Sequence, residues 1–132
     1  MNKEDRDTIV IYRLKRADET LVETNDLIRM SHWHGAANRL YYACYYAASA
    51  LLIKHGISTH SHAGVINQLS LHFVSKKVIS NELGKLYKQL FNLRQSSDYG
   101  DWVVIREEDI RPLIEPAEKF IEEIKKLIKF FS

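Results

Sequence analysis

At 132 residues, 45% of them hydrophobic and 27% charged, the chain has the length and composition of one globular domain able to bury its own core. Its 19 basic and 17 acidic residues leave a formal charge of +2, which excludes the basic bias of a dedicated nucleic-acid coat while leaving room for a local patch. The single cysteine, Cys44, forbids an intrachain disulfide, and the charged stretch from Met1 to Asp7 lacks the apolar region of a secretory signal, so a cytoplasmic protein is expected.

The spacing of Val10, Leu14, Ala17, Leu21 and Ile28, with charges between them, predicts a first helix from about Asp5 to Met30. Trp33 and Gly35 mark a break. A second helix, about Ala36 to His55, is apolar on nearly every side and stops at Gly56. Its uncharged run, Leu40 to Ile53, is 14 residues long. That falls short of the roughly 20 residues of a membrane-spanning helix, so a buried core helix is expected. Ser58-Thr59-His60-Ser61-His62 supplies loop chemistry and an amino-terminal cap for a short helix from about His62 to Phe73. A fourth helix runs from about Ser80 to Ser97 and breaks at Tyr99-Gly100-Asp101. The last, about Asp109 to Phe131, carries Ile110, Ile114, Ala117, Ile121, Ile124 and Ile128 on one face. Pro112 fits an early turn, whereas Pro116 implies a kink or a later start. No segment alternates like a strand. The fold class is therefore all-α: one domain over residues 1–132, built as an up-and-down bundle of four to five helices.

Arg94 stands out chemically. It continues the apolar stripe Leu83, Tyr87, Leu90 and Phe91, and Asp98 follows one turn later. An arginine on such a face must be satisfied by a carboxylate, a phosphate or a partner. The pair is either an internal clasp or an anion-reading site, with Tyr99 beside it and Arg39 and His62 as further members. In Tyr41-Tyr42-Ala43-Cys44-Tyr45-Tyr46, Tyr42 and Tyr46 share a side with Arg39. These phenols suit a core seam or subunit interface, or else a set of hydroxyls around a nucleotide or Arg94. Among six histidines are two His-x-His pairs, His32/His34 and His60/His62. Neither has the further ligands a zinc site needs, so surface or capping roles are expected and no metal is assigned. Cys44 reads as a small core residue. Phosphate-loop, dinucleotide, nucleophile-elbow and metalloprotease motifs are absent. On the final helix Lys119, Lys125, Lys126 and Lys129 alternate with Glu118, Glu122 and Glu123, a solvated face and not a phosphate track.

Three motifs then occur in order: Asn38-Arg39-Leu40-Tyr41-Tyr42-Ala43-Cys44-Tyr45-Tyr46-Ala47-Ala48, His62-Ala63-Gly64-Val65-Ile66, and Leu93-Arg94-Gln95-Ser96-Ser97-Asp98-Tyr99-Gly100-Asp101. Together, over about residues 10 to 128, they resemble the small free-standing HEPN-domain proteins of prokaryotes. The resemblance implies a helical bundle that dimerises, a cytoplasmic setting, and pairing with a minimal nucleotidyltransferase as toxin and antitoxin. It also implies metal-independent ribonuclease chemistry in which an arginine steadies the scissile phosphate and a histidine four to six residues later moves a proton. Only Arg94 carries over. Tyr99, Gly100 and Asp101 stand where the histidine should, and the unperturbed pKa values of tyrosine and aspartate lie roughly three units either side of neutrality. The expected function is thus a nucleotide- or RNA-binding module, homodimeric, acting with a nucleotidyltransferase and without a cofactor. Arg94 and Asp98 are the catalytic candidates, and Arg94, Tyr99, Arg39, His62 and Tyr42 the ligand-binding ones. The alternatives are a ribonuclease toxin with His62 or Asp98 as base, and a structural adaptor.

Overall fold

The computed structural model describes residues 1–99 and 103–129, with Tyr99 described in its backbone alone. Helix α1 spans Lys3–Arg29. It starts ahead of its apolar stripe because Asn2 Oδ1 accepts from the Asp5 N–H at 2.8 Å and Glu4 and Asp5 complement the first-turn dipole. Thr20 and Thr24 are fully buried on its inner face, their hydroxyls donating back to the carbonyls of Arg16 and Thr20.

Helix α2 spans Trp33–Lys54. The break expected at Trp33 and Gly35 falls at residues 30–32 instead, where Ser31 takes a positive φ of 59° and the His32 N–H reaches the Leu27 carbonyl at 2.9 Å. Trp33 and Gly35 thus form the first turn of α2. All six of its alanines, together with Leu40, Tyr41, Cys44 and Leu51, lack solvent exposure. Small side chains let neighbours pack closely, and α2 touches all four of the other α-helices as the axis of the bundle. Cys44 is sealed against the Ala117 carbonyl, and burial pushes its thiol pKa far up, so it is an inert core residue.

Helix α3, His62–Leu69, is capped by Ser61, whose Oγ accepts from the Gly64 N–H at 2.9 Å. The expected continuation to Phe73 widens into a π-helical turn, Ser70–Val74. Helix α4 is Asn81–Tyr99 and α5 is Glu107–Ile128. Helix α5 begins earlier than expected because Asp109 reaches back to accept from the Arg106 N–H at 2.9 Å. Its expected end at Phe131 lies outside the described residues. Both prolines sit within one continuous helix. Pro116 therefore causes no later start, and the helix accepts the loss of its N–H toward the Pro112 carbonyl.

Pro116→Ala should restore that bond. Proline costs about 3 kcal/mol relative to alanine inside a helix, and the gain is offset by about 0.4–1 kcal/mol of unfolded-state entropy and by existing adaptation of the bundle. A net stabilisation of about 1 kcal/mol is expected in urea melts; a loss would mean that packing around Pro116 depends on its ring.

The main core joins α2 to α1, α3, α4 and α5, and a smaller cluster (Ile28, Ala36, Ala37, Ile105, Ile110) fastens the α1–α2 turn to the start of α5. Among the described residues there is no strand, and no helix is long and apolar enough to cross a membrane.

Candidate functional site: arginine, imidazole and phenols between three helices

Arg94 is only 8% exposed, on the α4 face that also buries Leu83, Tyr87 and Leu90. Its Nη2 donates to the Tyr42 hydroxyl at 3.0 Å, and its Nε lies 3.0 Å from Asp98 Oδ2. The Nε–H is not aimed at that oxygen, so the second contact is an ion pair rather than a hydrogen bond. The guanidinium also lies 5.7 and 5.4 Å from the ring centres of Tyr41 and Tyr42. The α2 rings cover the cation, and its anion is supplied from within.

Asp98 remains 28% exposed in its side chain and accepts from Asn38 Nδ2 at 3.1 Å. Asn38 Oδ1 in turn accepts from Arg39 Nε and Nη2 at 3.0 and 2.9 Å. Arg39 thus joins the site through Asn38, while its guanidinium lies 5.0 Å from the Tyr42 ring centre and 3.5 Å from Glu23. Asn38, Arg39 and Asp98 border a cleft of about 400 Å³ that opens beside the buried pair. Asn38 opens the first motif but had no role expected of it, although an amide beside Arg39 at the head of the uncharged run was its available signal.

His62, the first residue of α3, completes the cluster. Its Nδ1 is 2.8 Å from the Tyr41 hydroxyl, and its ring centre is 4.7 Å from that of Tyr45 and 5.7 Å from that of Tyr42. Burial lowers its pKa, and the positive charge of Arg94 lowers it further. Burial raises the pKa of Tyr41, so the phenol keeps its proton, and its hydroxyl shares one hydrogen bond with Nδ1 whose direction follows the tautomer of the imidazole. The surface or capping role expected for His62 is therefore replaced by a half-buried one. Asp98, the other candidate base, is engaged by Arg94 and Asn38. The Tyr99 side chain, with Gly100 and Asp101, lies outside the described residues.

A pH dependence follows from His62. Its folded pKa lies below the unfolded value, so the unfolded chain binds more protons through that interval. Stability from the neutral imidazole is complete above about pH 6.5 and declines as pH falls toward the folded pKa. His62→Gln should flatten that part of the stability curve; an unchanged slope would show that the imidazole titrates freely.

His34 has a different task. Its Nδ1 is 3.1 Å from Ser97 Oγ and its Nε2 accepts from the Ile105 N–H at 3.3 Å, which ties α2 to the end of α4 and the approach to α5. His32 precedes α2 without a side-chain cap bond. Among the described residues no three His, Cys, Asp or Glu side chains gather as metal ligands.

The sequence matches the family model described as HEPN domain over residues 10–127. It is 38% identical to a UPF0332 protein of Thermotoga maritima over 95% of both chains. It is 33% identical to a Methanocaldococcus jannaschii protein named "Putative toxin MJ0605", over 98% of this chain and 95% of that one. The fold is similar to that of TT1696 from Thermus thermophilus, with a TM-score of 0.76, 14% identity, and coverage of 89% of this chain and 96% of that one. With the family match extending from the third turn of α1 to the last turn of α5, the chain belongs to the HEPN domain family.

Proposed function

We propose that this chain is a cytoplasmic, homodimeric RNA- or nucleotide-binding module that acts as a toxin–antitoxin component with a nucleotidyltransferase partner. The observation that carries the reading is the meeting of Arg94, Tyr42 and His62 from three helices at one point. An incoming phosphate replaces Asp98 on the guanidinium, exchanging one anion for another, while Asn38 holds the displaced carboxylate. Tyr42 accepts from Arg94 and so retains its own hydrogen for a phosphate oxygen. Arg39 supplies further positive charge along the cleft. Tyr99 belongs to the same proposed site by its place in the sequence. The name of the archaeal relative supports a toxin role.

His62 favours a second reading, a metal-independent ribonuclease. A neutral imidazole can take the proton from a ribose 2′-hydroxyl as that oxygen attacks phosphorus. Arg94 would offset the charge gathering on the phosphoryl oxygens, and the departing 5′-oxygen would take up a proton from water, the imidazolium later returning its own to solvent. The released products would be a 2′,3′-cyclic phosphate end and a 5′-hydroxyl end.

Incubating purified protein with RNA in chelator distinguishes the two. Retention of intact RNA supports the binding module. Cleavage that persists in chelator and disappears in His62→Gln selects the ribonuclease. If the protein neither binds nor cuts RNA and binds no nucleotide, the cluster is a structural clasp.

A further inference from the structure

The geometry points to a second phosphate subsite, formed by Arg6 and Arg13 of α1 beside the turn that follows α2, which holds the adjoining phosphodiester of a single RNA strand. It rests on the nucleic-acid reading of the Arg94 cluster. A cavity of about 430 Å³ lies here, lined by Arg6, Arg13, Tyr45, Ser49, Thr59 and His60 among others. Gly56 adopts a φ of +70° at the turn, and Arg6 Nη2 lies 3.6 Å from where a side chain there would begin. Arg13 Nη1 donates to Ser49 Oγ at 3.0 Å. That hydroxyl belongs to a residue only 7% exposed and, having accepted from Arg13, has its own hydrogen to donate.

Charge pairing and a shared cavity together set these two arginines apart. Arg16, Arg29, Arg39, Arg94 and Arg111 each have a carboxylate within ion-pair distance, whereas among the described residues Arg6, Arg13 and Arg106 do not, and of these three only Arg6 and Arg13 line one cavity together. Two guanidinium groups lining one cavity without an internal anion suit an external one. Phosphate is the best match, because hydroxyl donors (Ser49, Thr59) join planar cationic forks there.

Tyr45 links the cavity to the Arg94 cluster. It forms part of the cavity wall and packs against His62 with ring centres 4.7 Å apart. A base lying on that half-buried phenol has the Arg94 centre on one side and the arginine pair on the other, the alternation of stacking face and cationic groove by which proteins hold single strands. A strand spanning both would gain affinity over a fragment that fills only one.

Fluorescence anisotropy on the intact protein tests this with labelled oligouridine of about eight nucleotides, a uridine dinucleotide carrying one phosphodiester, and uridine monophosphate as competitor. The longer strand should bind more tightly than the dinucleotide. Arg6→Gln combined with Arg13→Gln should remove roughly tenfold of the longer strand's affinity, lower its salt slope by about 0.7 per lost contact, and leave dinucleotide binding unchanged. Arg13→Lys, which keeps the charge, should retain most of the gain, separating charge from folding. If the longer strand keeps its advantage in the double variant, the subsite is wrong and the Arg94 reading stands. A loss of monophosphate binding equal to that of the strand overturns the strand assignment in favour of a free nucleotide. Should the wild type bind none of the three, both proposals fall together.

Discussion

Arg94→Ala is expected to abolish detectable RNA or nucleotide binding and to lower the melting temperature by several degrees while leaving a folded protein. The substitution strips Tyr42 of its donor, leaves Asp98 with Asn38 alone, and opens space between the Tyr41 and Tyr42 rings. Breaking a fully buried pair costs about 3–5 kcal/mol. The carboxylate here is 28% exposed and keeps a hydrogen bond, so about 2 kcal/mol is the better expectation. For a domain of this size that corresponds to roughly 8 °C. Arg94→Lys should recover part of the stability and little of the binding, because an ammonium cannot hold phosphate and Tyr42 with one planar fork. Thermal melts read beside anisotropy separate the roles. If Arg94→Ala unfolds the chain and the wild type shows no ligand, the arginine is a clasp and the adaptor reading replaces the proposed one.

Phe120→Ala should be the most destabilising single change, at about 4 kcal/mol. Phe120 has no solvent exposure and stacks on Tyr87 at 5.2 Å between ring centres. Tyr87 stacks in turn on Tyr41 at 5.9 Å, and Tyr41 hydrogen-bonds His62. This column runs from α5 through α4 and α2 to α3, so truncating its base removes packing beneath the imidazole as well as core volume. Domains of this kind are stable by about 5–15 kcal/mol, and a loss near 4 brings the weaker of them close to unfolding at body temperature. Phe120→Leu should cost considerably less. Urea denaturation measures both; a cost below about 1 kcal/mol for the alanine variant would mean that the cavity collapses and the column does not support the site.

Much of the molecule was legible along the chain. Apolar residues at helical spacing gave the helices to within a few residues, since periodicity is a local property of one segment. The errors sit at the ends, where capping decides. Asn2 and Asp109 extended α1 and α5 toward their amino termini, and a turn through Ser31 moved the break ahead of Trp33. Pro116 did not delay the start of α5, because a helix held by its buried face tolerates one missing bond. The placement of Asp98 one turn after Arg94 was likewise readable, because i and i+4 meet on any α-helix.

By itself, then, the order of residues determined an all-helical chain with a hydrophobic α2 at its axis and Arg94 on an inward face. Tertiary packing alone decided what that arginine meets: Tyr42 as its acceptor, the α2 rings as its cover, and His62 as the imidazole close enough to feel its charge. These contacts join α4, α2 and α3, and their geometry depends on how whole helices dock, which no spacing within a single segment encodes. The same docking brought Arg6 and Arg13 against the turn after α2 and left them without a carboxylate among the described residues.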